Sequence, residues 1–570
     1  TVMVPMRDGV RLATDIYKPK DIVGKIPTVF WRTPYNFHKL RGMQLKFAIA
    51  FVERGYAFVV QNERGKFHSE GEWEILGFPR TDGYDALTWI ADQPWSNGRV
   101  GTLGCSSSAE WQLALAAMNH PAHAAMVPMA SGAGIGRVGE FFEQGNWYRG
   151  GTMQVPFLTW LYGVQNTQRP RFAKRTSDED LERLSKYFDL APEMPDPNWK
   201  EKIWHLPFVN LMREVDGPKG IFAEFHARKP NDPAWYEGGL YHDNEDMSIG
   251  PNMALFNHVR AHATDPEVRG NQYVVVAPTL HCRFFEPAYE LVVGERSMGD
   301  ATFDYEGLIA RFFDRWLKPE DNGFENDTPK VQYYAMGVNE WRSADEWPPK
   351  SAKTMTLYLD SDGGANSLFG NGRLRREKPL GEGDADGFVY DPTVPVPSLG
   401  GGVCCIGNLV DGGSFDQRPV EARADVLVYT SEPLTEAVNV TGSVRVTLYV
   451  SSDAKDTDFM IKLIDVYPDG HAYNVDDSMQ RVRYREGYDK EVFMEKGEVY
   501  QLDVSPMTTS NVFLAGHRMR LEISSSSFPR VARNLNTGGP NYNESRPVVA
   551  HNVVHHSVAH PSRIVLTVVE

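Results

Sequence analysis

RVGTLGCSSSAEWQLALAA, running from Arg99 to Ala117, sets three consecutive serines between an apolar run of strand character and an apolar run of helix character. Helix capping accounts for serines at such a junction, because their side-chain oxygens accept the first orphan N–H groups of a helix. The same order of strand, sharp turn with serine, and helix also exposes a nucleophilic hydroxyl at the top of a sheet, in the pattern G-x-S-x-G. Here the pattern falls on Gly104, Cys105, Ser106, Ser107, Ser108 and Ala109. Ser106 stands two residues past the glycine and directly after the strand. It is the candidate nucleophile, and Ser107 and Ser108 open the helix. The positive end of that helix favours negative charge developing beside it.

Working outward, strand and helix patterns alternate. Val10, Leu12, Thr14 and Ile16 repeat every second residue, as in a half-buried strand. PTVFWR (27–32) and YAFVVQ (56–61) are short apolar runs, and between them Met43, Phe47, Ala50 and Phe51 share one helical face that stops at Gly55. A helix over 82–92 and a strand over 99–103 follow. Such alternation predicts a parallel sheet with helices on both faces. Past about Gly132 the chain turns rich in aromatics and proline, with a capped helix in TSDEDLERLSKYF (176–188), as in a helical insertion. Strand texture returns at NQYVVVAP (271–278). From about Lys353 helices vanish, and VRVTLYVSS (444–452), FMIKLIDVY (459–467) and HRMRLEISSSS (517–527) alternate strictly, as in an antiparallel jelly-roll sandwich. The expected units are 1–132 and 246–350 for the α/β core, 133–245 for the cap and 351–570 for the sandwich.

Composition excludes several classes of function. The 570 residues carry 59 basic against 75 acidic side chains, a net charge of −16, and RLRR (373–376) is the longest basic cluster, so nucleic acid is not an expected partner. No apolar run approaches the ~20 residues of a membrane helix. Cys105, Cys282, Cys404 and Cys405 make neither a disulfide framework nor a CxxC zinc pair. This pattern suits a soluble, cytoplasmic protein, or one whose export signal is already removed. Both a monomer and a homo-oligomer are compatible with it.

A hydroxyl nucleophile needs a base, and in this arrangement the chain order is Ser, acid, His. Of sixteen histidines, His281 is best placed, in the loop PTLHC after the buried run QYVVVA, where strand ends open on a ligand crevice. His258 and His262 lie four apart without the intervening Glu of a zinc helix, and read as a solvated face.

On these stretches the chain resembles the serine hydrolase family of cocaine esterase, α-amino-acid ester hydrolases, cephalosporin acylases and X-prolyl dipeptidyl peptidases. The resemblance rests on MVPMRDGVRLATDIYKP (3–19), RTPYN (32–36), QNERGKFHSEGEW (61–73), PWSNGRVGTLGCSSS (94–108), VVVAPTLH (274–281), FFDRWLK (312–318), VLVYTSEPL (426–434), SSDAKDTDF (451–459) and TSNVFLAGHRMRLEISSSSFP (509–529). It implies an α/β-hydrolase core, an inserted helical cap and a C-terminal jelly roll. By position, Ser106 matches the nucleophile and His281 the base. Tyr35 matches a tyrosine that donates to the oxyanion together with the N–H of Ser107. The implied reaction is hydrolysis of a small-molecule carboxylic ester or amide through an acyl-enzyme, with no metal or organic cofactor.

Two departures stand out. The tyrosine that usually follows the nucleophile is Ser107, and the second glycine is Ala109; the lost aromatic opens the pocket wall. The acid, expected at a strand end before the helix PNMALFNHVRAH (251–262), has no evident strand, since WYEGGLYHDNEDMSIG (235–250) lacks a β-branched run. Asp243 and Asp246 read as loop carboxylates. A strand and its turn, roughly 10–20 residues, are therefore expected to be missing from the sequence between about Glu245 and Gly250. Two alternatives stay open. An aminopeptidase or amino-ester hydrolase would need pocket carboxylates, for which the insertion offers Glu140, Glu143 and Glu224. A non-catalytic ligand-binding protein on a hydrolase scaffold would need no acid at all.

Overall fold

Three successive residues, Val29, Phe30 and Trp31, show why the first half builds a sheet covered on both sides. Side chains alternate across a strand, and all three are buried. Val29 and Trp31 join Phe47 and Phe51 on one face, while Phe30 meets Trp111 edge-on at 5.6 Å on the other. The computed structural model describes residues 1–37, 42–131, 148–156, 160, 164, 240–244, 249–319, 321–382, 385–403, 410–487, 490–539 and 546–570.

Among the described residues ten strands form the first sheet, in the order β1 (Val2–Pro5), β2 (Arg11–Tyr17), β4 (Ala57–Asn62), β3 (Ile26–Thr33), β5 (Ser96–Cys105), β6 (His123–Met129), β7 (Leu240–Asn244), β8 (Tyr273–Ala277), β9 (Val331–Ala335) and β10 (Glu340–Ala344). From β4 to β9 the pairing is parallel, as the alternating texture predicts; β1, β2 and β10 add antiparallel edges. Helices α1 (Met43–Glu53) and α5 (Tyr305–Leu317) cover one face, and α2 (Tyr84–Ala91), α3 (Ser107–Ala116) and α4 (Ile249–His262) the other.

The strand expected to be missing is present in β7. It runs parallel to β8 from Leu240↔Tyr273 to Asn244↔Ala277 and touches β6 at Met129↔His242. Its five residues escaped the sequence reading because His242, Asp243 and Asn244 are polar and none is β-branched. A place between two parallel neighbours imposes the extended conformation that propensity alone does not. Residues 240–244, assigned to the insertion, thus belong to the core sheet. The helix expected over 176–188, and Glu140, Glu143, Glu224 and Asp246, lie outside the described residues.

Among the described residues eleven strands from Lys353–Asp360 to Arg563–Val568 form a second sheet, antiparallel except for one bridge at Arg373↔Thr430. Val444, Val446, Leu448 and Val450 alternate into its core as the pattern predicts. Arg296 ties the two units together, with its guanidinium 3.3 Å from Asp465 and 2.8 Å from Asn511, all buried. Among the described residues no helix is long and apolar enough to cross a membrane.

Candidate active site

At the junction of β5 and α3 the chain turns sharply on Ser106, whose φ of 61° and ψ of −132° are a strained conformation for a residue with a Cβ. The turn is held from both sides. Ser106 N–H donates to the Met129 carbonyl at 3.0 Å, and the Ser106 carbonyl accepts from Ala109 N–H at 2.7 Å and Glu110 N–H at 3.0 Å. Gly104 is obligatory here, because a Cβ on it would lie 1.8 Å from the Ser108 carbonyl oxygen. The alanine at 109 is accommodated, fully buried.

Capping does not explain the serines. Ser106 occupies the N-cap position, yet its side chain makes no capping bond. The Ser107 hydroxyl is buried without a hydrogen bond among the described residues, and Ser108 Oγ donates to Thr33 Oγ1 at 3.0 Å. Ser107 is the first residue of α3, so its N–H has no partner within the helix and is open to a ligand.

Tyr35 stands just past the end of β3 and is held by its backbone. Its N–H donates to Thr33 Oγ1 at 3.2 Å, and its carbonyl accepts from Asn62 Nδ2 at 2.7 Å. The phenol oxygen accepts the indole N–H of Trp160 at 2.7 Å, and the Ser106 side chain is near enough to act on the phenol's pKa. Burial pushes the phenol well above its ordinary pKa, outweighing the pull of both, so it stays protonated as a donor. In QNERGKFHSEGEW two charged side chains are buried, Glu63 and Lys66, and Glu63 acts electrostatically on the Tyr35 phenol. Glu63 accepts from Trp73 Nε1 at 2.8 Å and is pushed up to about 7 by burial, against the pull of Arg32. The Lys66 ammonium donates to the Val164 carbonyl, 4.1 Å from the Trp73 ring centroid, and burial lowers it to about 8.

His281 lies half-buried in the loop after β8. What joins it to Ser106 is a disulfide between Cys105 and Cys282, with Cα atoms 6.1 Å apart and a sequence separation of 177. Ser106 and His281 are each one ~3.8 Å peptide step from a bonded cysteine, so their Cα atoms lie within about 14 Å of each other. Four cysteines without a framework pattern thus still hold one bond, between these two. A pair so distant in sequence carries no spacing signal, although its position directly before Ser106 and directly after His281 was readable once those residues were named.

Asp243 sits one residue before the end of β7, in register with Val276 of β8. The sequence reading discounted it for want of a strand. Trp160 was missed altogether, because nothing in the local pattern of the insertion marks it. His258 and His262 pair their rings at 4.5 Å on α4, facing a cleft lined by Trp347, Lys353 and Arg445 and away from these residues. Among the described residues no three His, Cys, Asp or Glu side chains group to hold a metal ion.

Known proteins are similar to this chain over its whole length. A family model described as X-Pro dipeptidyl-peptidase (S15 family) matches residues 8–283, and one described as the X-Pro dipeptidyl-peptidase C-terminal non-catalytic domain matches 322–565. The cocaine esterase of Rhodococcus sp. (strain MB1 Bresler) is 33% identical over 593 residues, covering 100% of this chain and 98% of that protein. Among solved structures, an aminopeptidase from the marine sediment archaeon Thaumarchaeota archaeon matches at TM-score 0.77 and 26% identity, and an α-amino acid ester hydrolase at 0.76 and 25%. Both cover 100% of this chain and 96% of theirs. On these matches the chain belongs to the family of serine hydrolases that holds cocaine esterase and the X-Pro dipeptidyl-peptidases.

Proposed function

We propose that this protein hydrolyses a small-molecule carboxylic ester through an acyl-enzyme on Ser106. The observation that carries the reading is the strained Ser106 turn, set near the Tyr35 phenol and tied through Cys105–Cys282 to the loop bearing His281. His281 takes the Ser106 proton as the hydroxyl attacks the ester carbon. The carbonyl oxygen becomes an oxyanion facing two donors, the Tyr35 hydroxyl and the Ser107 N–H. His281 returns the proton to the leaving alcohol, then activates a water that releases the acid. Asp243 is the acid that orients His281; its support is its place near the C-terminal end of β7, beside the strand that leads to His281. The strand-rich C-terminal unit is a jelly roll, in keeping with the alternation from Val444 to Val450.

A fluorophosphonate probe tests the reading. Covalent labelling of Ser106, lost in Ser106→Ala, together with turnover of aryl esters, is the expected result. A panel of amides, aminoacyl esters and X-Pro anilides ranks the substrate class. Absence of labelling under conditions where the protein is folded would favour a binding protein on a hydrolase scaffold.

A further inference from the structure

We propose that the Cys105–Cys282 disulfide is a positioning element of the active site, whose reduction to two thiols slows the chemistry at Ser106 while the fold survives. The inference rests on the serine hydrolase reading above and extends it to how the nucleophile and base are held together.

The sheet order creates the need. Cys105 ends β5, and its register runs through Met129 of β6 and His242 of β7 to Val275 of β8. Three strand spacings, or ~14 Å, therefore separate Cys105 from β8. Yet Cys282 returns to a Cα distance of 6.1 Å from Cys105. The loop after β8 must fold back across the ends of β7 and β6 to reach it, carrying His281 towards Ser106. The ladder of hydrogen bonds ends with the strands and does not fix how far this loop reaches. The disulfide does, at the residue next to each reacting group.

The rest of the loop is anchored independently. Phe284 and Phe285 pack edge-on at 4.4 Å, Phe285 meets Phe47 of α1 at 5.0 Å, and Phe284 meets Tyr305 of α5 at 5.6 Å. On the other side Leu280 packs in a cluster with Val293 and Val475. Loss of the covalent link thus removes the tie between β5 and the turn from Leu280 to Arg283, while the core keeps its packing. That turn's own bond, from Arg283 N–H to the Leu280 carbonyl at 2.9 Å, closes it only locally. Cys282 is half-buried and Cys105 only 5% exposed, so a reductant meets the Cys282 sulfur first. One thiolate of a dithiol attacks Cys282 Sγ and expels Cys105 as a thiolate, which takes a proton from water. The second thiol of the reductant then attacks the mixed disulfide, closes its own ring and releases the Cys282 thiol. Two electrons and two protons pass from the dithiol to the protein.

The test compares full-length enzyme, oxidised and treated with dithiothreitol, using 4-nitrophenyl butyrate turnover, the rate of fluorophosphonate labelling at Ser106, and thermal melting. Mass spectrometry of unreduced digests follows the bridged 105/282 peptide. A displacement near 1 Å costs on the order of 100-fold in rate. Reduction is therefore expected to lower kcat and the labelling rate roughly 10- to 100-fold with KM nearly unchanged, reversibly on reoxidation. Cys282→Ser is expected to show the lowered kcat with or without reductant and to keep a cooperative melt. Equal kcat in both redox states, with the bridge verified in one and absent in the other, would overturn the proposal. So would failure to find the bridge in oxidised enzyme, or a loss of rate that merely tracks global unfolding. Ser106 unlabelled in both states of a folded protein would instead overturn the hydrolase reading on which the proposal stands.

Discussion

The indole N–H of Trp160 donates to the hydroxyl oxygen of Tyr35 at 2.7 Å, and the Ser106 side chain is near enough to act on that hydroxyl. A phenol oxygen has one proton and two lone pairs. With the indole on one lone pair, the proton is held for the side where Ser106 reacts. Tyr35→Phe is expected to lower kcat about 100-fold, the cost of one oxyanion donor, with little change in KM. Trp160→Phe keeps a ring but loses the N–H, and a smaller fall in kcat, about 3- to 10-fold for a bond worth ~1 kcal/mol, is expected. A raised KM at constant kcat in the Trp160 variant would make it a wall of the substrate pocket instead.

The three adjacent serines have different tasks, and alanine substitution separates them. Ser106→Ala is expected to abolish turnover with the melting temperature preserved. Ser107→Ala keeps the backbone donor and removes a hydroxyl without a hydrogen bond among the described residues, so most activity is expected to remain. Ser108→Ala removes the bond to Thr33 Oγ1 and is expected to cost about 1 kcal/mol of stability and little rate. A Ser108→Ala enzyme as inactive as Ser106→Ala would reassign the nucleophile.

Asp243 and Asp246 are distinguished by kinetics. Asp243→Asn is expected to reduce kcat by about 10⁴, as when a triad histidine loses the carboxylate that sets its tautomer. Asp246→Asn is expected to stay within a few-fold of the parent. The reverse ranking would move the acid to Asp246 and leave β7 a purely structural strand.

Glu63 makes stability depend on pH in a defined direction. Its carboxyl rises from 4.5 to about 7 on folding because it is buried. The folded state thus binds this proton more tightly than the unfolded chain. Its contribution is present in full below pH 4.5 and is lost as pH rises to about 7. Glu63→Gln cannot titrate, so its unfolding free energy is expected to fall less steeply than the parent's across that window. Denaturant melts at half-unit pH steps check this; parallel curves for the two proteins would show that Glu63 ionises normally in the fold.

Short-range order was written plainly in the sequence. Gly104 and Ser106 sit two apart because a Cβ at 104 would strike the Ser108 carbonyl, a constraint within one turn of chain. The buried strands Val29–Trp31 and Tyr273–Ala277 and the alternation from Val444 to Val450 announce themselves because each satisfies its own period locally. Tertiary structure alone decided the remainder. Leu240–Asn244 is extended because β6 and β8 flank it, not because its polar residues prefer a strand. Cys105 meets Cys282, and Trp160 meets Tyr35, across 177 and 125 positions of chain. Local propensity reaches about one turn or one strand along a chain; contacts between distant segments exist only once the sheet has closed and brought its strand ends together.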